Sequence, residues 1–189
     1  PFIKMILVTG ATGILGRVIV LELLKRGKTV RATKRKSSNL QEVRKSFQFY
    51  TETPNEYFDS IEWIEVDFED IHSLQNALNG VEEVYHCAAK VSFHPKDEKK
   101  MYQTNIEGTK QLLFACQNSS VKKFLFVSSI AVLDGLNENG ELDESSDFNP
   151  KIDHSAYAIS KHFSEMEVWR ASAEGLNTVI VNHGLIIGY

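Results

Sequence analysis

The sequence predicts an α/β fold built on a doubly wound parallel sheet, and two observations support this class. Short apolar runs alternate with segments whose apolar residues recur at helical spacing, along all 189 residues. The first run leads directly into a glycine-rich turn. Because strands separated by helices pair in parallel through right-handed crossovers, one sheet with helices on both faces is expected.

Six strands and four longer helices follow from this pattern. The predicted strands are Met5–Thr9, Thr29–Thr33, Ile61–Val66, Val84–Ala88, Phe124–Val127 and Thr178–Val181. The predicted helices are Ile14–Arg26, Ile71–Leu78, Lys99–Gln117 and Ser155–Glu174. The polar stretches Lys34–Ser60 and Asp134–Asp153 are predicted loops, the first with a short helix at Asn39–Phe47. Residues 1–189 are expected to form one domain.

Composition argues against several classes of function. The 25 acidic and 21 basic residues give a net charge of −4, which disfavours nucleic acid as a partner. The lack of a long apolar run disfavours a membrane. Two cysteines, Cys87 and Cys116, are too few for a disulfide framework and lack metal-ligand spacing, so both are predicted to be small buried residues and no metal is expected. A reducing, cytoplasmic location is predicted.

The first strand is followed by a turn in which glycine recurs at every third position. Gly10 permits a tight turn, Gly13 lets the backbone approach a pyrophosphate, and Gly16 lets helix and strand pack closely. The helix that begins here presents free N–H groups and a positive dipole end to phosphates. A bound dinucleotide is predicted, the alternative being an ordinary glycine-rich turn. The predicted contacts are Gly10, Thr12, Gly13, Ile14, Leu15 and Gly16.

The stretch Thr9-Gly10-Ala11-Thr12-Gly13-Ile14-Leu15-Gly16 resembles the opening of the extended short-chain dehydrogenases/reductases. This group holds the NAD-dependent epimerases and dehydratases and the dihydroflavonol reductases. The resemblance implies a Rossmann fold that binds NAD(P). It also implies a substrate-binding lobe beyond Tyr189, so this chain is expected to be the N-terminal part of a longer protein from which that lobe is largely absent.

Cations occupy the end of the second strand, where NAD-binding folds carry an acidic residue that binds the ribose hydroxyls. The stretch Val30–Lys36 contains no carboxylate, and Arg35 stands near that place. A guanidinium matches the oxygens of a 2′-phosphate in a bidentate way, although the stretch could also be a solvated basic loop. It resembles the Val-Arg-Ala-Thr-x-Arg of dihydroflavonol reductases, which use NADPH. NADP(H) is therefore expected, and NAD(H) is less favoured.

Two further stretches match the family pattern. The resemblance assigns Asp67 a hydrogen bond with the adenine amino group and places Phe68 at the cofactor, whereas the alternative for Asp67 is a turn or N-cap role. It also implies that the cofactor ribose lies against Ala88 and Ala89, which are small. His86 is predicted to be a buried histidine with satisfied hydrogen bonds.

A tyrosine and a lysine lie four residues apart in the last predicted helix. The spacing of Tyr157 and Lys161 puts both on one face, within about 6 Å of each other. A neighbouring cation favours phenolate, so Lys161 is expected to lower the pKa of Tyr157 and make it a useful acid or base. Lys161 can also reach the nicotinamide ribose, and both residues are predicted to contact the cofactor.

The resemblance completes the catalytic group. The family's Ser-Ser/Thr-x-x-Val segment identifies Ser129 as the residue that donates to the substrate carbonyl oxygen, with Ser128 structural or near the cofactor ribose. Asn105 matches an asparagine that supports the active-site wall through hydrogen bonds. His183 departs from the pattern, since it replaces a proline beside the nicotinamide, and the backbone geometry there is left open.

These features favour an NADP(H)-dependent oxidoreductase that reduces a ketone or aldehyde, with Tyr157 as proton donor. Two alternatives stay open: a nucleotide-sugar epimerase or dehydratase with bound NAD(P), and a non-catalytic protein that senses the cofactor. The substrate is then a small carbonyl compound or a nucleotide sugar. The helices 99–117 and 155–174 occupy places where family members often pair, so a homodimer is a further expectation.

Overall fold

Six parallel strands form one sheet in the computed structural model, which describes residues 4–188. The ends of the predicted domain, residues 1–3 and Tyr189, lie outside the described residues. The strand order is β3-β2-β1-β4-β5-β6, which confirms the predicted fold class. The strands are β1 Met5–Thr9, β2 Thr29–Lys34, β3 Glu62–Glu65, β4 Val81–His86, β5 Lys123–Val127 and β6 Asn177–Val181.

Helices follow most of the strands. They are α1 Ile14–Lys25, α2 Leu40–Phe47, α3 Pro54–Asp59, α4 Ile71–Ala77, α5 Glu98–Tyr102, α6 Gly108–Gln117 and α7 Ala156–Ala173. A π-helical turn, Gln103–Glu107, joins α5 to α6, and 3₁₀ turns lie at Pro95–Asp97 and Ile130–Val132. Within residues 4–188, every helix is too short or too polar to cross a membrane.

Alternate residues of β1 point to opposite faces of the sheet and take part in two cores. Ile6 and Val8 belong to a core closed by α1, α2 and α3. Leu7 belongs to the other core, which α4, α6 and α7 close. A continuous apolar run is typical of a central parallel strand because both of its faces are buried. The carboxyl ends of β1 and β4, where the strand order reverses, are the usual ligand-binding edge of such a sheet.

The predicted bounds of the fourth strand are wrong. β4 begins at Val81, which pairs with Met5 through an irregular register, and it ends at His86. The chain then leaves the strand ladder, since the Ala88 N–H donates to the Thr9 side chain (N–Oγ1 3.2 Å). Cys87 consequently lies half-buried at the strand end and not in the core, whereas Cys116 is buried as predicted.

Two helical features differ from the predictions. The stretch predicted as a loop after Phe47 contains α3, which begins at Pro54 and buries Phe58 against the Phe47 ring (centroids 6.2 Å apart). Six residues are too few for a helical period to be visible in the sequence. The predicted single helix 99–117 is divided by the π-helical turn into α5 and α6. The short helix after Asn39 is confirmed, with Asn39 as its N-cap.

Candidate active site and cofactor cleft

Two adjoining cavities lie outside the carboxyl ends of the strands. The glycine turn and the segment after β4 line a cavity of about 530 Å³. The ends of β2 and β3, with α5 and α6, line a second of about 940 Å³. Shared walls make them one continuous cleft. The predicted cofactor residues that line it are Gly10, Thr12, Gly13, Arg35, Asp67, Phe68, Ala88 and Ala89.

The glycines of the turn are required by close backbone approaches. Gly10 has a φ of 65°, and a Cβ there would lie 2.7 Å from the Ala88 backbone nitrogen. A Cβ on Gly16 would collide with the carbonyl oxygen of Gly10. Both contacts are with backbone atoms, which cannot swing away as a side chain can. The turn is therefore packed tightly between α1 and the end of β4, as the predicted roles of Gly10 and Gly16 require.

The start of α1 is open toward the cleft. Gly13 is its N-cap and supplies no side-chain hydrogen bond to the first turn. Ile14 and Leu15 form that turn and lie outside the cavity walls. N–H groups at the start of a helix lack intrahelical partners and attract anions. The shape of the turn and these donors fit the pyrophosphate of a dinucleotide.

Arg35 differs from the two cations within β2, Arg31 and Lys34. Arg31 is engaged by Glu62 (Nε–Oε1 2.9 Å) and by two backbone carbonyls. Lys34 forms an ion pair with Glu65 (3.5 Å). Among the described residues, the Arg35 guanidinium has no ion pair and no hydrogen bond, and Arg35 lines both cavities. It is thus available to an anion in the cleft.

Asp67 forms a turn at the end of β3. Its Oδ1 accepts the N–H of Glu69 at 2.9 Å, and its own N–H donates to Ser73 Oγ at 3.1 Å. The alternative turn role of Asp67 is therefore confirmed. Asp67 and Phe68 also line the larger cavity, so a contact with adenine stays a prediction compatible with this geometry.

The structure brings Ser129 and Tyr157 together at the carboxyl end of β5. Ser129 is almost completely buried, and its Oγ accepts the Ala131 N–H at 3.2 Å. Burial raises the pKa of Tyr157, while a hydrogen bond with Ser129 acts to lower it. The expectation that Lys161 lowers this pKa is therefore wrong in the described structure, because desolvation is the largest effect and Ser129 supplies the opposing one. The phenol keeps its proton at neutral pH.

Lys161 lies one turn further along α7 and is buried. Its Nζ donates to the Val127 carbonyl oxygen at 2.6 Å and lies 4.0 Å from the centroid of the Phe126 ring. Burial lowers the pKa of Lys161 to about 7, while the charges of Glu165 and Cys87 oppose this shift. The lysine is directed under the end of β5, beside the two serines of that segment.

Asn105 supports the site wall, as predicted, through hydrogen bonds in several directions. Its Oδ1 accepts the Lys90 N–H (2.7 Å), and its Nδ2 donates to Lys90 O (3.0 Å) and to Ser160 Oγ (2.9 Å). The π-helical turn places Asn105 at this junction, and Ser164 Oγ donates to its carbonyl oxygen at 2.8 Å. The segment after β4 is thus fixed to α7 beside Tyr157.

Asn182 is a site residue that the sequence analysis missed. Its Nδ2 donates to Ser129 O (3.2 Å) and to Glu165 Oε1 (2.7 Å), which joins the end of β6 to the catalytic segment. Its place directly after a strand was the only available signal. Next to it, the His183 carbonyl accepts the Ile130 N–H at 3.0 Å, so the backbone here is held by hydrogen bonds without the family's proline.

The buried hydroxyl of Ser128 has no hydrogen-bond partner among the described residues. Ser128 is held through its backbone, since its N–H donates to Val181 O at 2.8 Å. The structural role predicted for it fits this pairing, and a place near the cofactor ribose stays a prediction.

Residues 6–189 match the model of the NAD dependent epimerase/dehydratase family. The chain belongs to this family. One relative is sterol demethylase protein B of Methylococcus capsulatus, 32% identical over 96% of this chain and 51% of that protein. Another is a putative dihydroflavonol 4-reductase of Synechocystis, 31% identical over 96% of this chain and 49% of that protein. The chain spans about half the length of the curated relatives it matches.

Solved structures of the family agree with this assignment. A short-chain dehydrogenase/reductase superfamily protein of Agrobacterium tumefaciens, with bound NAD, is 30% identical over 95% of this chain and 48% of that one, with a TM-score of 0.68. A UDP-glucose 4-epimerase of Thermotoga maritima is 25% identical over 95% of this chain and 55% of that one, with a TM-score of 0.72. Members of the family bind a nicotinamide dinucleotide, and both reductases and epimerases occur among these proteins.

Proposed function

We propose that this protein is an NADP(H)-dependent oxidoreductase that reduces a ketone or aldehyde. The observation that carries the NADP(H) preference is Arg35, a cation at the end of β2 without a partner among the described residues. No carboxylate stands in the stretch Val30–Lys36 to bind the ribose of NAD. A 2′-phosphate in the cleft would meet a guanidinium that does not first have to leave an internal ion pair.

The catalytic side chains suit the reductive direction. When bound, the reduced nicotinamide supplies a hydride to the carbonyl carbon. Ser129 Oγ would donate a hydrogen bond to the carbonyl oxygen as negative charge develops there. Tyr157, whose pKa is raised by burial, carries the proton that this oxygen needs to become an alcohol. Lys161 lies on the same helix and would contact the cofactor ribose from below the end of β5.

A fluorescence titration with NADPH and NADH tests the preference. In Arg35→Ala we expect the dissociation constant of NADPH to rise about tenfold to 100-fold, because a charge-assisted hydrogen bond is worth roughly 1.5–3 kcal/mol. The dissociation constant of NADH should change less than about twofold, since NADH lacks the phosphate. Lys28→Ala, which removes an exposed cation just before the opposite end of β2, is the control. Equal losses for both cofactors in Arg35→Ala would contradict the phosphate role.

A nucleotide-sugar epimerase or dehydratase is the second candidate, supported by the structural similarity to a UDP-glucose 4-epimerase. Such an enzyme regenerates its cofactor within each cycle, so purified protein should retain NAD(P) and consume none. A reductase should oxidise one NADPH for each carbonyl reduced. A third candidate, a non-catalytic cofactor sensor, would do neither, and the complete set Ser129, Tyr157 and Lys161 argues against it.

We also propose a homodimer formed through α6 and α7. Three apolar side chains of α7, Phe163, Met166 and Trp169, are about half exposed at a spacing that puts them on one face, and Phe114 of α6 is exposed as well. Exposed apolar side chains grouped in this way are typical of protein interfaces. Light scattering should give twice the chain mass for wild type and the monomer mass for Trp169→Glu, with Lys28→Glu as a control distant from these helices. An unchanged mass in Trp169→Glu would contradict the interface.

We further propose a cytoplasmic location. Both cysteines are free thiols, which is typical of proteins in a reducing compartment.

A further inference from the structure

A buried histidine links the floor of the cleft to helix α6. His86 is 1% exposed and lies at the end of β4. Its Nδ1 is 2.6 Å from Thr9 Oγ1, and its Nε2 is 2.9 Å from Thr109 Oγ1. The predicted satisfied core histidine is therefore confirmed. Three phenylalanine rings surround the imidazole with centroids 5.7–5.9 Å away: Phe68, Phe124 and Phe126.

The Thr9 hydroxyl connects this histidine to the cofactor side of the sheet. Thr9 Oγ1 also accepts the N–H of Ala88 (3.2 Å), and Thr9 O accepts the N–H of Cys87 (3.3 Å). Thr9 directly precedes Gly10, whose Cα lies so close to Ala88 that a Cβ would be 2.7 Å from the Ala88 nitrogen. The hydrogen bonds of one buried hydroxyl thus hold the glycine turn against the segment on which the cofactor would lie.

The imidazole is suited to this place because it stays neutral. Burial, and to a smaller extent the charge of Lys161, lowers the pKa of His86 to about 3. A neutral imidazole has one N–H donor and one acceptor nitrogen. A hydroxyl can accept one hydrogen bond while it donates another, so Thr9 Oγ1 can accept from Ala88 and donate to Nδ1 in the tautomer whose Nε2–H donates to Thr109 Oγ1. In that tautomer the donors run in one direction from Ala88 to α6.

We propose that His86 is a positioning residue of the dinucleotide cleft, which fixes the distance between the Thr9–Gly10 turn and Ala88 through the Thr9 hydroxyl. The proposal rests on the cofactor cleft described above, but it does not depend on the choice between NADPH and NADH. A histidine that served only the core would affect the stability of the fold and leave the affinity of the folded protein for the dinucleotide unchanged.

Two variants that each remove one partner of the same imidazole separate these roles. Thr9→Val and Thr109→Val both replace a buried hydroxyl with a methyl group of similar size. In the full chain, we expect Thr9→Val to raise the dissociation constant of NADPH about tenfold, and Thr109→Val only about twofold to threefold. His86→Phe keeps an aromatic ring among the three phenylalanines but removes both nitrogens, and it should resemble Thr9→Val. Affinities are measured by nicotinamide fluorescence at a temperature where circular dichroism shows every variant folded.

Leu113→Val is the matched control, since Leu113 is fully buried in the same core and lies away from the cleft. It should lower the melting temperature while binding NADPH as the wild type does. Wild-type affinity in His86→Phe, whatever the effect of Thr9→Val, or an equal loss in Leu113→Val, would overturn the proposal. If the wild type preferred NADH, only the proposed NADP(H) dependence would be overturned, because the affinities of the variants would then be measured with NADH. Binding of neither dinucleotide would overturn both.

Discussion

Replacing Lys161 with methionine should stabilise the fold at neutral pH. The lysine is 2% exposed, and among the described residues it has a hydrogen bond to the Val127 carbonyl but no ion pair. Burial lowers its pKa from 10.5 to about 7, so keeping the ammonium charged costs the folded state free energy. Methionine fills a similar volume without that cost, and replacement of a buried charge in this way stabilises proteins by on the order of 1–4 kcal/mol.

The sign and size of the pH dependence follow from the two pKa values. Between about pH 7 and the ordinary pKa of 10.5, the unfolded chain holds a proton on Lys161 that the folded chain has released. Stability therefore rises with pH across this window, by up to about 1.4 kcal/mol per pH unit. From pH 7 to pH 9, the wild type should gain about 2 kcal/mol relative to Lys161→Met. Below about pH 7, where Lys161 is protonated in both the folded and the unfolded chain, the stability difference between wild type and Lys161→Met should reach its full size.

Urea unfolding at pH 7, 8 and 9, followed by circular dichroism, measures this difference. The titrations are made without nucleotide, because a ligand that binds only the folded state adds its own stabilisation. Lys28→Met, at an exposed position, is the control and should stay parallel to the wild type at every pH. If the stability difference between wild type and Lys161→Met were the same at all three values, the lysine would not be desolvated as the structure indicates.

Two further predictions concern stability. Gly16→Ala should lower the free energy of unfolding by more than about 2 kcal/mol and weaken dinucleotide binding, since its Cβ would collide with the Gly10 carbonyl. Gly184→Ala is the control and should leave the melting temperature nearly unchanged, because nothing lies within 4 Å of the added Cβ. Equal melting temperatures for the two variants would refute the argument. Asn105→Ala should cost about 3 kcal/mol in urea unfolding, because three side-chain hydrogen bonds are lost. Asn118→Ala, which removes one exposed bond, should cost less than about 1 kcal/mol, and a similar cost for both would contradict the bridging role.

The fold could be predicted from the sequence because the signals for strands and helices are local. Every strand except β4, and most helices, could be predicted to within one residue at each end from apolar periodicity and from glycine stops, since those depend on neighbours along the chain. The roles of Gly10 and Gly16 were also predictable, because a tight turn between a strand and a helix requires glycine wherever it occurs. The exceptions are the short α3, the π-helical turn and the end of β4, whose bounds depend on contacts between distant segments.

The electrostatics of the site could not be predicted in the same way. The spacing of Tyr157 and Lys161 suggested that the lysine lowers the pKa of the phenol, but burial of both side chains dominates, and burial is a property of the packed fold. The bonds of Asn105 join segments up to 59 residues apart, so its number of partners was not visible in the sequence. Asn182 was missed because nothing in its neighbourhood indicates the approach of Ser129 and Glu165.

The buried polar residues show where stability is given up for function. Apart from Arg17 and Ser46, they lie around the cleft and the catalytic edge: Thr9, Thr33, His86, Asn105, Thr109, Ser128, Ser129, Ser160, Lys161 and Ser164. A buried polar group is costly unless it is hydrogen-bonded, and apolar residues of similar volume would often be at least as stable. Almost all of these groups are joined to one another or to the backbone, which makes the edge rigid. Among the described residues, the Ser128 hydroxyl has no hydrogen bond and the Lys161 side chain has one, and both lie beneath the carboxyl end of β5, where a substrate and a cofactor would meet Tyr157.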